Sequence, residues 1–137
     1  MPKWRNTTRI HTALYRATGG VIGARLAGIA MLLLTTKGRK TGQPRTLPLA
    51  YIPDGDDFVV VASNGGQDSD PLWWRNLQAN PAGEVQVRKH VHRVRAERAT
   101  GGERARLWPL LVQANPQWGH YEQATARPIP VVILKRT

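Results

Sequence analysis

Apolar and polar positions along this chain change period several times, and each change predicts an element. From Thr7 or Thr8, either of which can cap a helix, Ile10, Leu14 and Ala17 recur at helical spacing while Arg9, His11 and Arg16 fall on other faces. This predicts a short basic amphipathic helix ended by Gly19-Gly20. A further helical turn or two is expected over Arg25 to Met31, before Leu32-Leu33-Leu34-Thr35-Thr36 opens the first strand. Leu47 to Ile52 reads as a second strand, followed by the turn Pro53-Asp54-Gly55-Asp56-Asp57. Phe58-Val59-Val60-Val61-Ala62 is continuous and β-branched, the pattern of a strand covered on both faces.

In the second half, Asp70-Pro71 predicts a helix start, with Asp at the N-cap and Pro at the first helical position, and the helix runs to Asn80 before Pro81. Its apolar residues are Leu72, Trp73, Trp74 and Leu77. Adjacent tryptophans project from different faces, so one is expected in the core and the other half-exposed or over a ligand. Glu84 to Arg88 and His90 to Arg98 alternate as an antiparallel pair of strands. Thr100-Gly101-Gly102-Glu103 has capping-box spacing and opens a helix through Leu107, Leu110 and Leu111 to Ala114, which Asn115-Pro116 stops. After a short aromatic stretch from Trp118 to Ala124, Ile129 to Leu134 supplies a last strand, with Pro130 marking its beginning or an edge. About six mostly antiparallel strands with flanking helices describe an α+β domain around a barrel-like sheet.

The first two strands are joined by Lys37-Gly38-Arg39-Lys40-Thr41-Gly42-Gln43-Pro44-Arg45, a hairpin turn with four cations. Like charges crowded in this way are best tolerated beside a counter-anion, and the glycines let backbone N–H groups approach one. A solvated basic hairpin is the alternative. The stretch is not a nucleotide P-loop, because Gly42 is followed by Gln43-Pro44 and the residue before a proline is pushed towards extended geometry.

Composition narrows the rest. A chain of 137 residues with 41% hydrophobic content builds one modest core. It contains no cysteine, which removes disulfides, thiolate metal sites and cysteine nucleophiles, and fits a reducing compartment. The net charge of +11 is lopsided: nine basic residues precede Asp54, the first acidic one. Such a field attracts nucleic acid, anionic lipid or an anionic small molecule. The longest apolar run, Leu26 to Leu34, is about half the ~20 residues that cross a bilayer, so no transmembrane helix is expected. It also lacks a small-x-small cleavage site, so the chain's start reads as mature protein.

Self-contained catalytic patterns are scarce. His11, His90, His92 and His120 lack metal-ligand spacing, Ser63 lacks the nucleophile elbow, and the aspartates sit in turns rather than as a glycosidase pair. No Gly-x-Gly-x-x-Gly motif follows a strand. An enzyme of this composition has to draw its chemistry from an organic cofactor.

Four separated motifs resemble one family. Leu33-Leu34-Thr35-Thr36-Lys37-Gly38-Arg39-Lys40-Thr41-Gly42-Gln43-Pro44-Arg45, Ala62-Ser63-Asn64-Gly65-Gly66, Pro71 to Pro81 with Trp73-Trp74, and Arg127-Pro128-Ile129-Pro130-Val131 occur in the order seen in the deazaflavin-dependent nitroreductases of actinobacteria. The similarity runs from about Ile29 to Ile133. It implies a split β-barrel related to flavin-binding barrels over 29–137, preceded by the basic segment 1–28. It also implies coenzyme F420, an 8-hydroxy-5-deazaflavin carrying a phosphodiester and an oligoglutamate tail, as hydride donor. By the resemblance, Arg39, Lys40, Thr41 and Arg45 hold the phosphate and the start of the tail, where arginine offers paired donors. Ala62, Ser63, Asn64, Gly65 and Gly66 line the ring together with Pro48, Leu72 and Trp73, and the substrate stacks on the open face beside Trp118 and Tyr121. Hydride passes to an electron-poor substrate such as a quinone or nitroaromatic, with Tyr121, Ser63 or water supplying the proton. Asn115 and Trp118 stand where the family has tyrosines, Asn64 where it commonly has lysine and Ala50 where tyrosine is frequent, departures that bear on substrate rather than cofactor. The resemblance further implies a cytoplasmic enzyme, with the basic N-terminal helix suited to the inner membrane face. The other readings are a split-barrel protein binding FMN, haem or a lipid-like ligand, and a basic nucleic-acid module. Nucleic acid is not expected, because most aromatics fall in the later helices rather than among the basic residues.

Overall fold

The structure is a computed structural model that describes residues 25–26 and 29–137. The helix expected from Thr7 to Ala17 lies outside the described residues. In chain order the elements are β1 (Arg25–Leu26), β2 (Ile29–Lys37), β3 (Pro44–Ala50), β4 (Ile52–Asp54), β5 (Asp57–Val61), a single 3-10 turn (Asn64–Gly66), α1 (Leu72–Ala79), β6 (Ala82–Val87), β7 (His90–Arg98), α2 (Gly101–Ala114), α3 (Gln117–Ala124) and β8 (Val131–Arg136). All pairings are antiparallel, in the order β1-β2-β6-β7-β8-β5-β4, with β3 also paired to β2. The strands at the two ends of the run β3-β2-β6-β7-β8-β5-β4 are consecutive in sequence, with only Tyr51 between them. The sheet therefore curls until its edges approach each other, which makes it a split barrel.

Eight strands occur among the described residues rather than about six. Among the described residues of this stretch, 25–26 and 29–31 are strand and not helix: Arg25–Leu26 pairs with Ile29–Ala30, and the Ala30 carbonyl accepts from the Tyr51 N–H at 3.1 Å, so sheet pairing claims residues with no strong period of their own. Tyr51 also divides the expected second strand into β3 and β4. The turn after β4 tightens to Gly55-Asp56, since Asp54 and Asp57 already pair. The last strand begins at Val131, after Pro130, and is flanked by β7 and β5, so the proline marks a strand start and not an edge.

Two cores follow from the period-2 geometry of the strands. Leu32, Leu34, Val60, Val85, Val94, Val132 and Leu134 point inward and pack with Trp73, Trp74 and Leu77 of α1. Val59, Val61, Val131 and Ile133 point outward and are covered by Leu107 and Leu111 of α2 and Trp118 of α3. The two faces explain why β5 and β8 are continuously apolar, each buried side chain contributing about 1.5–3 kcal/mol. Both tryptophans of α1 are buried at 5% exposure, with ring centroids 6.4 Å apart, which corrects the expectation that one would be open. The helix inserts into the barrel cluster deeply enough for two faces to be enclosed. Its N-cap is Pro71, not Asp70, whose carboxylate is held by Arg127. Thr100 caps α2 by position, but no side-chain capping bond forms.

Candidate functional site

The basic turn between β2 and β3 is a compact, internally bonded loop. Gly38 N–H donates to the Gln43 carbonyl at 2.8 Å and Gly42 N–H to the Gly38 carbonyl at 2.8 Å. Thr41 Oγ1 accepts from Gln43 N–H at 3.2 Å and from Arg45 Nη2 at 3.5 Å. Gly38 is required by contact, because a Cβ there would lie 2.9 Å from Thr41 Oγ1 and 3.1 Å from the Gln43 carbonyl oxygen. Gly42 is required by its φ of +72°. Arg39, Lys40, Thr41 and Arg45 are all exposed. None of the five ion pairs among the described residues involves Lys37, Arg39, Lys40 or Arg45, so the turn presents four cations without acidic partners.

Asn76 ties this turn to α1, and sequence reasoning missed it. Its carboxamide donates to the buried Thr36 hydroxyl at 3.1 Å and accepts from the Arg39 N–H at 3.1 Å, while its side chain is itself buried. The signal available was an amide on the same helix face as Trp73 and Leu77, where an apolar residue is the norm.

The second part of the site lies ahead of α1. Asn64, Gly65 and Gly66 take φ of 49°, 64° and 82°, a run of left-handed residues that is sterically costly for a non-glycine such as Asn64. Arg127 clamps the segment: Nε donates to the Gln67 carbonyl at 2.8 Å, Nη1 to Asp70 Oδ1 at 2.9 Å, and Nη2 to the carbonyls of Ala62 and Ser63 at 3.2 and 2.9 Å. Asn64 Nδ2 donates to the Ser69 carbonyl at 3.0 Å, and Thr125 Oγ1 to Asp68 Oδ1 at 2.8 Å. The expected residues Ala62 to Gly66 are thus held in one defined turn. In the sequence Arg127 stands out only as part of a motif, because its partners lie about sixty residues upstream.

The structure brings Tyr121 to this turn. A Cβ on Gly66 would lie 3.2 Å from Tyr121 Cδ1, so the ring packs directly on the glycine. Trp118, one turn earlier on α3, is buried with Leu107 and Leu111 and backs the outer core instead of facing outward. Among the described residues Leu72 is the large apolar side chain left most open, at 62% exposure, and sits at the N-terminus of α1. Trp73 beside it is buried, and Pro48 is half-buried on β3 opposite Leu33. His90 and His92 stack at 6.3 Å, and His92 also contacts Phe58, so these strand histidines belong to an aromatic edge. No cluster of metal-ligating groups occurs among the described residues.

A groove of about 510 Å³ runs from Lys37, Gly42 and Pro44 across β6 and β7 to Arg93 and Arg95. It adjoins the basic turn but contains none of Ser63, Trp73, Trp118 or Tyr121. The bonded loops on either side of α1 define the site better than this concavity.

A family profile described as F420H(2)-dependent quinone reductase matches residues 7–136. An F420H(2)-dependent quinone reductase of Mycobacterium tuberculosis strain H37Rv is 44% identical over 132 residues, which cover 93% of this chain and 89% of the relative. The solved structure of an F420-H2 dependent reductase (FDR-A) is similar at a TM-score of 0.72 and 37% identity, covering 77% of this chain and 93% of that one. A heme binding protein from Mycobacterium smegmatis shares the fold at a TM-score of 0.59 and 20% identity, with 78% of this chain and 46% of that chain covered. With the family match spanning both halves of the site, the chain belongs to the F420H(2)-dependent quinone reductase family.

Proposed function

We propose that the chain binds reduced coenzyme F420 and reduces a quinone. The observation that carries this reading is that two bonded loops flank one helix: an acid-free cationic turn tied to it through Asn76, and the Ser63–Gly66 turn ahead of it, held through Asp70 and Arg127. The residues fit the coenzyme's chemistry. Arg39, Lys40, Thr41 and Arg45 offer charge-assisted donors to a phosphodiester and carboxylates. Exposed Leu72 and half-buried Pro48 offer apolar surface, and the turn from Ser63 to Gly65 offers backbone amides at close approach. When bound, the coenzyme supplies the hydride. The chain's own part is to fix the ring, exclude water from its reacting face and provide a proton. Tyr121, packed on Gly66 beside that turn, is the proton donor we assign, with Ser63 as the alternative; Trp118 supports the Tyr121 helix from behind.

Quenching of the five tryptophans on titration with F420 and, separately, with FMN tests the reading. Saturable binding of F420 in preference to FMN, followed by F420H2-dependent reduction of a soluble naphthoquinone, is expected. Preference for FMN would retain the barrel and remove the function.

We further propose a cytoplasmic enzyme whose segment 1–28 lies on the inner membrane face. Five basic residues and no acidic one within 1–28 support it. No helix among the described residues is long and apolar enough to cross a membrane. Sedimentation of the full chain with anionic but not neutral vesicles, lost on Arg5→Glu/Arg9→Glu, is the expected result.

A further inference from the structure

Arg127 does more than an ion pair requires. Its Nη2 is shared by the carbonyls of Ala62 and Ser63, at 3.2 and 2.9 Å, and these belong to consecutive peptide groups. No peptide bond among the described residues is cis, and across a trans peptide the N–H points opposite to the C=O. The N–H groups of Ser63 and Asn64 are therefore both directed away from the guanidinium, side by side. Ser63 is right-handed (φ −76°, ψ −30°) and Asn64 left-handed (φ 49°), the succession that curls adjacent N–H groups into a concavity for an electronegative atom. Neither N–H has an acceptor among the described residues, whereas the Gly66 and Gln67 N–H groups bond to the Ser63 and Asn64 carbonyls.

We infer that Arg127 is a positioning residue that turns the Ser63 and Asn64 N–H groups into a paired donor for a carbonyl oxygen of a conjugated ring. This rests on the function proposed above and deepens it, by naming the polar contact that orients a ring against the Ser63–Gly66 turn. A guanidinium on the carbonyl side polarises both amides and strengthens their outward N–H donors. Because Asp70 neutralises Arg127 at 2.9 Å, the net field at the pair is small. That suits a polarised carbonyl, while the uncompensated cations of the basic turn suit the phosphate. Donors fixed in advance of binding act as an oxyanion hole does. The oxygen belongs either to the deazaflavin ring or to the quinone.

Isotope-labelled protein, followed by amide NMR, separates these cases. Oxidised F420 and a soluble naphthoquinone are added separately and then together. The Ser63 and Asn64 amide protons are expected to move downfield together. A shift with F420 alone assigns the oxygen to the coenzyme; a shift only when quinone is present assigns it to the substrate. In Arg127→Met the paired shift should vanish and the responsible ligand should bind roughly ten- to a hundred-fold more weakly, the scale of a misplaced contact. The amides of Arg39 and Thr41 should still respond to F420. If Arg127→Met fails to fold, Arg127→Lys reads the same loss, since one ammonium keeps the Asp70 charge pair but cannot span three carbonyls as well. If F420 moves the basic-turn amides while Ser63 and Asn64 stay unmoved by either ligand, the inference fails and the coenzyme reading stands. If F420 moves no amide at all, both fall.

Discussion

Replacing Asn76 by Ala cuts the tie between α1 and the basic turn, and its effects on stability and on binding are separable. The wild-type carboxamide makes two bonds of 3.1 Å, one to Thr36 Oγ1 and one from the Arg39 N–H. Thr36 is 2% exposed, so its hydroxyl would be left without a partner and out of reach of water. An orphaned buried polar group of this kind costs about 1–3 kcal/mol. Arg39 is exposed, and water can take over its N–H, so that bond is worth only its net ~1 kcal/mol. The expected loss is therefore about 2–4 kcal/mol, a fall in Tm of roughly ten degrees for a domain of this size.

Thermal unfolding followed by circular dichroism measures the first effect. The double variant Asn76→Ala/Thr36→Val removes the orphaned hydroxyl and should recover about 1–2 kcal/mol, because deleting both partners of a bond is cheaper than deleting one. F420 affinity, measured well below the variant's Tm, reads the second effect: a turn freed from the bond between Arg39 N–H and Asn76 should bind several-fold more weakly. An unmoved Tm, or a double variant no more stable than the single, would refute the burial argument. A large loss of stability with unchanged affinity would show that the turn holds its shape without Asn76.

Tyr121→Phe should lower turnover more than F420 affinity, and equal losses would assign Tyr121 a packing role only. Gly66→Ala places a Cβ 3.2 Å from Tyr121 Cδ1 at a φ of +82°, so stability should fall by about 1–2 kcal/mol and turnover with it; wild-type kinetics would contradict the contact. Burial, and then the charges of Arg136 and His90, hold the His92 imidazole below its ordinary 6.5. The unfolded chain then binds that proton more readily, so the stability His92 contributes is complete above about pH 6.5 and is lost as pH falls through its lower folded value. His92→Phe, in contact with Phe58, should flatten the decline of the urea midpoint between neutral and mildly acidic pH. A decline as steep as the wild type's would exclude His92 as its source.

The parts of the fold legible in the sequence are those where local pattern and tertiary demand agree. Val59 to Val61 and Val131 to Leu134 are apolar without alternation because the barrel lies on one side of them and α2 and α3 on the other. The basic hairpin is visible because glycines and cations mark it however the rest packs. Arg25 to Met31 is not, since its small apolar residues suit helix or strand and the Tyr51–Ala30 bond decides. For Trp73 and Trp74 the geometric premise is sound, but it assumes a helix lying on a surface, whereas α1 is enclosed on both tryptophan faces. Asn76 and Arg127 are hidden for a different reason. Their partners lie 37 to 40 and 57 to 65 residues away in sequence, and no local pattern encodes a bond across that span.

What α1 fixes is a distance, and charge must supply the selectivity that distance cannot. Asp70 and Asn76, through which the two turns are anchored, are six residues apart, Asn76 within α1 and Asp70 just ahead of its Pro71 N-cap. With Trp73 and Trp74 locked in the barrel core, that spacing is rigid, and it demands a ligand with an anion set a short way from a ring. F420 and FMN both meet the demand, since each ends a tricyclic ring system in a phosphate-bearing side chain. They differ beyond the phosphate: F420 continues into carboxylates, and the turn offers four cations without acidic partners. The preference for F420 over FMN should therefore be electrostatic in origin and shrink as salt shortens the Debye length from about 30 Å at 0.01 M to about 8 Å at physiological ionic strength. Arg39→Ala/Lys40→Ala should weaken F420 more than FMN and leave a shallower salt dependence. A ratio of the two affinities that is unchanged by salt, or by removal of both side chains, would place the discrimination in the ring contacts of Ser63 to Gly66 instead of the turn.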